Sequence, residues 1–181
     1  MNRAAYVLMT TVASVGVALA ATVPTSLKLV WNVSASVPIG LYSLEPADHL
    51  EITDLVAVTP PPPLAAFLIG RGYLGEGTPL LKRLMGLPGQ DVCRLGNAIT
   101  VDGVPLGEAL PRDHIGRDLP VWQGCQRIAP DHLFLMNPDV GDSLDGRYFG
   151  PIPATTVIGR AMPLLTDEAG NGDFIWRAAV R

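Results

Sequence analysis

The positive charge of this 181-residue chain rests on eleven arginines and two lysines, Lys28 and Lys82. Lys82 stands in "LLKRLMGLPGQDV", residues 80–92, inside an apolar run. Arginine keeps its proton at any working pH, whereas a lysine taken out of water can release it. Burial lowers an amine by up to about 3–5 pKa units, enough to make a base near neutrality. The apolar neighbours Leu80, Leu81, Leu84 and Met85 are the expected enclosure. Two other segments offer hydroxyls to such an amine. In "NVSASVPIGLY", Ser34 and Ser36 alternate with small residues, which sets both hydroxyls on one side of an extended backbone before Pro38 and Gly40 bend it. A serine becomes a nucleophile when a neighbour removes its proton, and a neutral lysine can do that. In "GDSLDGRYFG", residues 141–150, Ser143, Asp145 and Arg147 recur at every second position. That spacing offers a hydroxyl to orient the amine and an Asp–Arg pair to brace the loop. Taken singly, these segments also read as a strand edge, a serine-rich linker and a polar turn. Taken together, they describe serine–lysine chemistry.

Other chemistries lack their signatures. His49, His114 and His132 lie far apart with no i, i+4 pair, so metal-ligand spacing is missing. There is no G-x-S-x-G elbow and no phosphate-cradling loop. A net charge of −4 and a pI near 5.2 give no basic footprint for nucleic acid. The expectation is an enzyme without cofactor or metal.

The elements that position these residues begin with an apolar N-terminus. Arg3 is followed by twenty uncharged residues, 4–23, which as a helix span about 30 Å, the depth of a bilayer's hydrocarbon core. With Arg3 as the early positive charge, the start stays in the cytoplasm and the rest lies outside. Ala18-Leu19-Ala20 carries the competing pattern of a cleavable signal peptide. The division is therefore an anchor or signal sequence over 1–23 and an exported domain over 24–181. Lys28 and Trp31 suit the membrane interface. Cys93 and Cys125, the only cysteines, suggest a disulfide in an oxidising compartment, with two buried thiols as the alternative.

Residues 52–58 read as a strand, the prolines at 60–63 as a stiff connector, and "LAAFLIGR" as a short helix started by Pro63 and ended at Gly72. "NAITVDGVPL" reads as a hairpin turning at Asp102-Gly103. Residues 107–124 read as a loop, and "HLFLMN" and "TTVIGRAMPLL" as strands. The last dozen residues are ambiguous. The exported part is expected to be mainly β.

The order of the segments is informative: an apolar helix, S-x-S-x-P, an apolar strand with Lys-Arg and G-x-P-G, then G-D-S-x-D-G-R-Y-F-G. It resembles the signal peptidase family, the serine–lysine peptidases of type S26. The spacing from "SVPIGLY" to "LLKRLMGLPGQDV" is most similar to the TraF-type conjugative-transfer branch. The resemblance implies a single antiparallel β catalytic domain of the signal-peptidase and LexA-like type, carried by an N-terminal transmembrane helix. It places that domain on the periplasmic side of a bacterial inner membrane. Residue by residue, it implies Ser36 as nucleophile and Lys82 as general base. Ser34 and the Ser36 N–H become the oxyanion donors, Ser143 orients the lysine, Asp145 and Arg147 brace the last loop, and Arg83 flanks the base. The implied partners are membrane lipid and an exported, pilin-like precursor, cyclised where the pilin's own amine resolves the acyl-enzyme. Val37 stands where the general enzymes commonly carry methionine, Ser143 directly follows Gly-Asp, and the chain lacks room for their second domain. Those departures favour the conjugation branch. A non-catalytic exported β module and a LexA-type self-cleaving regulator are the competing readings. The regulator would need a DNA-binding domain and a cytoplasmic address.

Overall fold

Alternating apolar residues build the sheets from short antiparallel strands, and the interruptions fall at glycine, proline and left-handed turns. The computed structural model of the protein describes residues 2–22 and 27–179, without the side chains at 20 and 21. Helix α1 covers Arg3–Thr22. Its apolar side chains, among them Val7, Leu8, Val12, Val17 and Leu19, are more than half exposed. Among the described residues no helix is long and apolar enough to cross a membrane. Val23, the expected end of the anchor, lies outside the described residues.

Strands β1 (Leu29–Asn32), β2 (Ile39–Glu45) and β3 (Leu55–Val58) precede helix α2 (Pro62–Gly70). β4 (Leu80–Gly86) leads into β5 (Asp91–Leu95), β6 (Ala98–Val101), β7 (Val104–Glu108) and β8 (Gly124–Arg127). β9 (His132–Leu135), α3 (Gly146–Phe149), β10 (Ile152–Pro153), β11 (Val157–Asp167) and β12 (Ile175–Trp176) complete the order. The larger sheet runs β1-β2-β11-β3-β4-β9-β10, with β12 paired to β11. The smaller runs β7-β6-β5-β8 and is inserted between β4 and β9. Among the described residues all the strand pairings are antiparallel, so the mainly β expectation holds.

All four residues of β3 are buried, because both of its faces are covered. Leu55 and Ala57 join Tyr42, Leu81 and Ala161 on one side. Val56 and Val58 join Leu84, Leu133 and Leu135 on the other. The strand expected over 52–58 starts only at Leu55, since Thr53 adopts φ 78° and turns the chain before the ladder begins. Helix α2 begins one residue earlier than expected, at Pro62, where the missing proline N–H costs no helical bond. It ends at Gly70, and Gly72 leaves it at φ 73°. Asp102 and Gly103, at φ 48° and 77°, make the left-handed pair that a two-residue hairpin needs. The strand expected over 132–137 stops pairing at Leu135, and the ambiguous C-terminal stretch supplies β12.

Candidate active site

Lys82 lies in the middle of β4, directly opposite Val56 of β3. Period-two alternation puts it on the face that also carries Leu80 and Leu84, and turns Leu81 and Met85 to the other face. The expected enclosure is therefore half right. Leu81 packs with Tyr42, and Met85 with Val92 and Phe134. Val58, Leu80, Leu135, Leu144 and Phe149 line the small cavity beside the amine. Lys82 is 5% exposed. Its Nζ donates to Ser143 Oγ at 2.8 Å and reaches Ser36 Oγ at 3.4 Å.

Burial lowers the Lys82 amine to about 8. The Asp145 carboxylate opposes this by favouring the ammonium, while Arg147 assists it. The displacement from an ordinary lysine corresponds to roughly 3 kcal/mol of preference for the neutral form.

Ser36 sits in the turn joining β1 to β2, and Asn32, the last residue of β1, shapes that turn. The Asn32 amide donates to the carbonyls of Ser34, Val37 and Pro38 at 2.7, 3.1 and 3.1 Å, while its Oδ1 accepts from the Ser34 N–H at 3.1 Å. The buried Tyr42 hydroxyl donates to the Pro38 carbonyl at 2.7 Å. Burial raises its pKa, so it remains a phenol. Within the turn, Ser34 Oγ accepts the Ser36 N–H at 3.2 Å and lies 2.9 Å from Ser36 Oγ. Both expected oxyanion donors thus lie beside Ser36 Oγ, and at rest they engage each other.

Asn137 ties this turn to the strand that carries Lys82. Its Nδ2 donates to the Ser36 and Leu81 carbonyls at 2.9 and 3.2 Å, and its Oδ1 accepts the Arg83 N–H at 3.0 Å. Its own N–H donates to Asp145 Oδ2 at 3.0 Å. Asp145 and Arg147 form an ion pair in which both side chains are at most 1% exposed. Arg147 also donates to the carbonyls of Asn137, Val140 and Gly141, so one guanidinium fastens the loop that carries Ser143. Arg94, buried in β5, donates to the Arg147 carbonyl at 2.7 Å and joins the smaller sheet to this loop.

Of the expected site residues, Ser34, Ser36, Lys82 and Ser143 meet, with Asp145 and Arg147 directly behind them. Arg83 does not join the amine. Alternation carries its side chain to the opposite face, where Nη1 donates to the Thr53 carbonyl at 3.0 Å. Cys93 and Cys125 are bonded across β5 and β8, where they are register partners. Sequence reasoning missed Asn32 and Asn137. Asn32 carried a signal, an Asx-type residue two before Ser34 at a bend. Asn137 carried none, because its partners come from distant segments.

The serines open onto a groove of about 440 Å³ with apolar walls that include Val30, Trp31, Leu68, Leu74 and Leu81. Ser36 also borders a second groove, of about 300 Å³, lined by Arg83, Asn137, Asp139 and Glu168. A polypeptide crossing from one to the other would lay a peptide bond over Ser36. The arrangement can transfer a proton from Ser36 to Lys82 and hold an oxyanion.

Comparison with known proteins gives a consistent result. The family described as "Signal peptidase, peptidase S26" matches residues 1–165. The probable conjugal transfer protein TraF of Sinorhizobium fredii is 38% identical over 146 residues, covering 75% of this chain and 76% of that one. The conjugal transfer protein TraF of Agrobacterium fabrum is 34% identical over 147 residues, covering 75% and 81%. Signal peptidase I of Leptolyngbya laminosa is 28% identical over 82 residues, covering 45% of this chain and 38% of that one. With a family match that spans nine-tenths of the sequence, this chain belongs to the signal peptidase family, the S26 serine peptidases.

Proposed function

We propose that the protein is a membrane-anchored serine endopeptidase that removes the leader from an exported precursor. Residues 1–23 are its anchor and 24–181 its periplasmic catalytic domain. The observation that carries the reading is one buried amine, Lys82 Nζ, in reach of two hydroxyls, Ser36 Oγ and Ser143 Oγ. Ser143 holds the amine, leaving its lone pair for Ser36.

In the first step the Ser36 O–H bond breaks, its proton passes to Lys82, and Oγ bonds to the scissile carbonyl carbon. The carbonyl oxygen becomes an oxyanion held by the Ser36 N–H and the Ser34 hydroxyl, which exchange their mutual bond for it. Each such donor is worth about 3–4 kcal/mol in serine proteases. The C–N bond then breaks and Lys82 returns the proton to the leaving amine. Water or a second amine then adds to the ester carbonyl and gives a proton to Lys82; the C–Oγ bond breaks, Lys82 returns that proton to Ser36 Oγ, and both residues are restored. Asp145 and Arg147 position the loop, and Arg83 acts through its backbone N–H on Asn137.

The membrane address is supported by the uncharged residues 4–23 and by the exposed apolar side chains of α1. Thirteen residues separate Val23 from Ser36, at most about 45 Å when extended. Arg3 at the start supports an orientation with the domain on the outer side, and the bacterial relatives support an inner membrane as its site. The relatives named as conjugal transfer proteins support a role in conjugation, and a pilin-like precursor is the substrate proposed for it.

The test is mass spectrometry of a pilin precursor from the same genetic locus, co-expressed with the intact protein, Ser36→Ala or Lys82→Arg. Loss of the leader with the intact protein alone is the expected result. A product lighter by one further water identifies an amine as the second nucleophile. Equal trimming in all three would reject the serine–lysine reading and leave an exported binding module in its place.

A further inference from the structure

Helix α2 has no side chain in the proposed chemistry, yet it borders the base on two sides. Leu64 and Leu68 are one turn apart and lie on one helix face. Leu64 lines the small cavity beside the Lys82 amine, which at about 20 Å³ has room for about one water. Leu68 lines the larger groove onto which the serines open. Leu80, Lys82 and Leu144 border both spaces, so one face of α2 closes the base and also walls the path of the substrate. The polar side chains at the cavity, Lys82 and Asp145, spend their bonds on Ser36, Ser143, Arg147 and the Asn137 N–H. The other walls include Val58, Leu135, Phe149 and Ile152, so Leu64 completes an apolar enclosure.

By itself α2 does not hold that position. Nine residues without a capping side chain fall short of the roughly 12 that an isolated helix needs. The fastening comes from the connection between β7 and β8. The Tyr73 hydroxyl, just past α2, donates to Asp113 Oδ2, and Arg117 Nε donates to the same oxygen at 2.7 Å. Asp113 Oδ1 accepts the N–H groups of Ile115 and Arg117 at 3.1 and 2.8 Å. Arg117 Nη1 donates to the Arg71 carbonyl at 3.1 Å, and Arg71 Nη1 donates back to the Asp118 carbonyl at 2.7 Å. The Arg117 guanidinium lies 4.7 Å from the centre of the Tyr73 ring. Burial raises the Asp113 carboxyl, but the bonds from Tyr73 and Arg117 outweigh it and hold the group well below the usual carboxylate range. The cluster is therefore charged at neutral pH.

We propose that residues 111–118 are a latch on α2, and that Tyr73 and Asp113 are positioning residues for Lys82, acting through Leu64. Its significance for catalysis rests on the reading of Lys82 as general base. The charged groups that face the amine, Asp145 and Arg147, belong to the N-cap of α3 and to α3 itself, and α2 carries none. What α2 supplies is exclusion of water. Opening the latch lets water reach the amine, which favours the ammonium and raises the Lys82 pKa. Loss of the Asp113 charge acting alone has the opposite sign, because removing a carboxylate disfavours an ammonium.

With only two lysines in the chain, the amine can be read directly. The full chain, labelled with carbon-13 at lysine Cε and held in detergent micelles, gives two lysine signals, and Lys82→Arg removes the one that belongs to Lys82. In the wild type that signal should titrate near 8. Tyr73→Phe, Asp113→Asn and Leu64→Ala should each raise its midpoint by about half a unit or more, with the Lys28 signal as the unmoved reference. The acid limb of kcat/KM on a precursor peptide should move by the same amount. Arg127→Ala, which removes an exposed ion pair with Asp91 on the smaller sheet, should leave both in place. A lower melting temperature in Tyr73→Phe with the Lys82 midpoint unmoved would show a merely structural link and overturn the proposal. A shift in Leu64→Ala that neither latch variant shares, or a fall in Asp113→Asn, would overturn it as well. A Lys82 midpoint that responds to the latch in a protein that cleaves no precursor would reject the peptidase reading and leave the latch standing.

Discussion

The side-chain amide of Asn137 donates to the Ser36 carbonyl at 2.9 Å, joining residues 101 positions apart. The same side chain holds the Leu81 carbonyl and the Arg83 N–H, the backbone groups on either side of Lys82. One buried amide thus ties the turn that carries Ser36 to the strand that carries Lys82.

Asn137→Asp follows as the sharper of two tests. It replaces a donor facing two carbonyls with a carboxylate oxygen, so repulsion is added to the lost bonds. Asn137→Ala should cost about 2 kcal/mol or more in urea unfolding, because buried polar groups lose partners. Asn137→Asp should cost more than alanine and abolish cleavage. Equal stability of the two variants would show that the amide does not hold the turn.

The Lys82 amine at about 8 fixes the acid limb of the rate profile. At pH 7 about a tenth of the enzyme carries the neutral base, so kcat/KM should rise with pH and level off above about 8. The sign of the Asp145 effect is specific. Its carboxylate raises the lysine, so Asp145→Asn should move the limb to lower pH while lowering the plateau through a loosened loop. For stability, an amine held below its unfolded value disfavours folding while it is protonated in both states. The folded state therefore gains between about pH 8 and the usual lysine range. An acid limb that stays in place in Asp145→Asn would remove this carboxylate from the control of the base.

What was legible in the sequence was the chemistry of single residues. Lys82, Ser36 and Ser143 could be found because a lysine in an apolar strand and serines at spaced bends are unusual in type. What was hidden was direction and partnership. Arg83 and Met85 adjoin the base in sequence but face away from it, because alternation acts on the strand whatever the motif. The strand at 52–58 looked complete because a β-branched threonine in the left-handed region, as at Thr53, has no sequence signature. Asn137 bonds to backbone atoms of other segments, and no spacing rule encodes those. Asn32 acts within its own turn and lay within reach of an Asx-turn argument.

Removing the disulfide should separate stability from catalysis. Cys93 and Cys125 are 32 residues apart on the smaller sheet, and the chain-entropy account gives about 3–4 kcal/mol for a loop of that size. The Cys93→Ala, Cys125→Ala double variant should unfold at correspondingly lower denaturant. Its contact with the site runs through the neighbouring Arg94, which bonds the Arg147 carbonyl. Below the unfolding transition kcat should fall only a few-fold. A loss of kcat as large as that of Ser36→Ala, in protein still folded by circular dichroism, would show that the small sheet positions the dyad.

Ser34 decides how the resting site becomes active. Its Oγ accepts the Ser36 N–H at 3.2 Å and lies 2.9 Å from Ser36 Oγ, so it occupies the donor that the oxyanion must later use. Two roles follow, with opposite signs on removal. If the hydroxyl is an oxyanion donor, Ser34→Ala lowers kcat by about 10²–10³ with little change in KM, since the interaction exists only in the transition state. If it serves only to occupy the Ser36 N–H, alanine frees that donor and kcat rises. The first outcome is expected, because the peptide oxygen gains full negative charge and outcompetes a neutral hydroxyl for the N–H. Ser34→Thr separates the effect from packing. The position is exposed, so the extra methyl has room and the retained hydroxyl should restore most of the rate. Single-turnover kinetics of the three proteins on a precursor peptide would read the sign directly. A rate in Ser34→Ala at or above that of the wild type would leave the Ser36 N–H as the only donor and remove Ser34 from the chemistry.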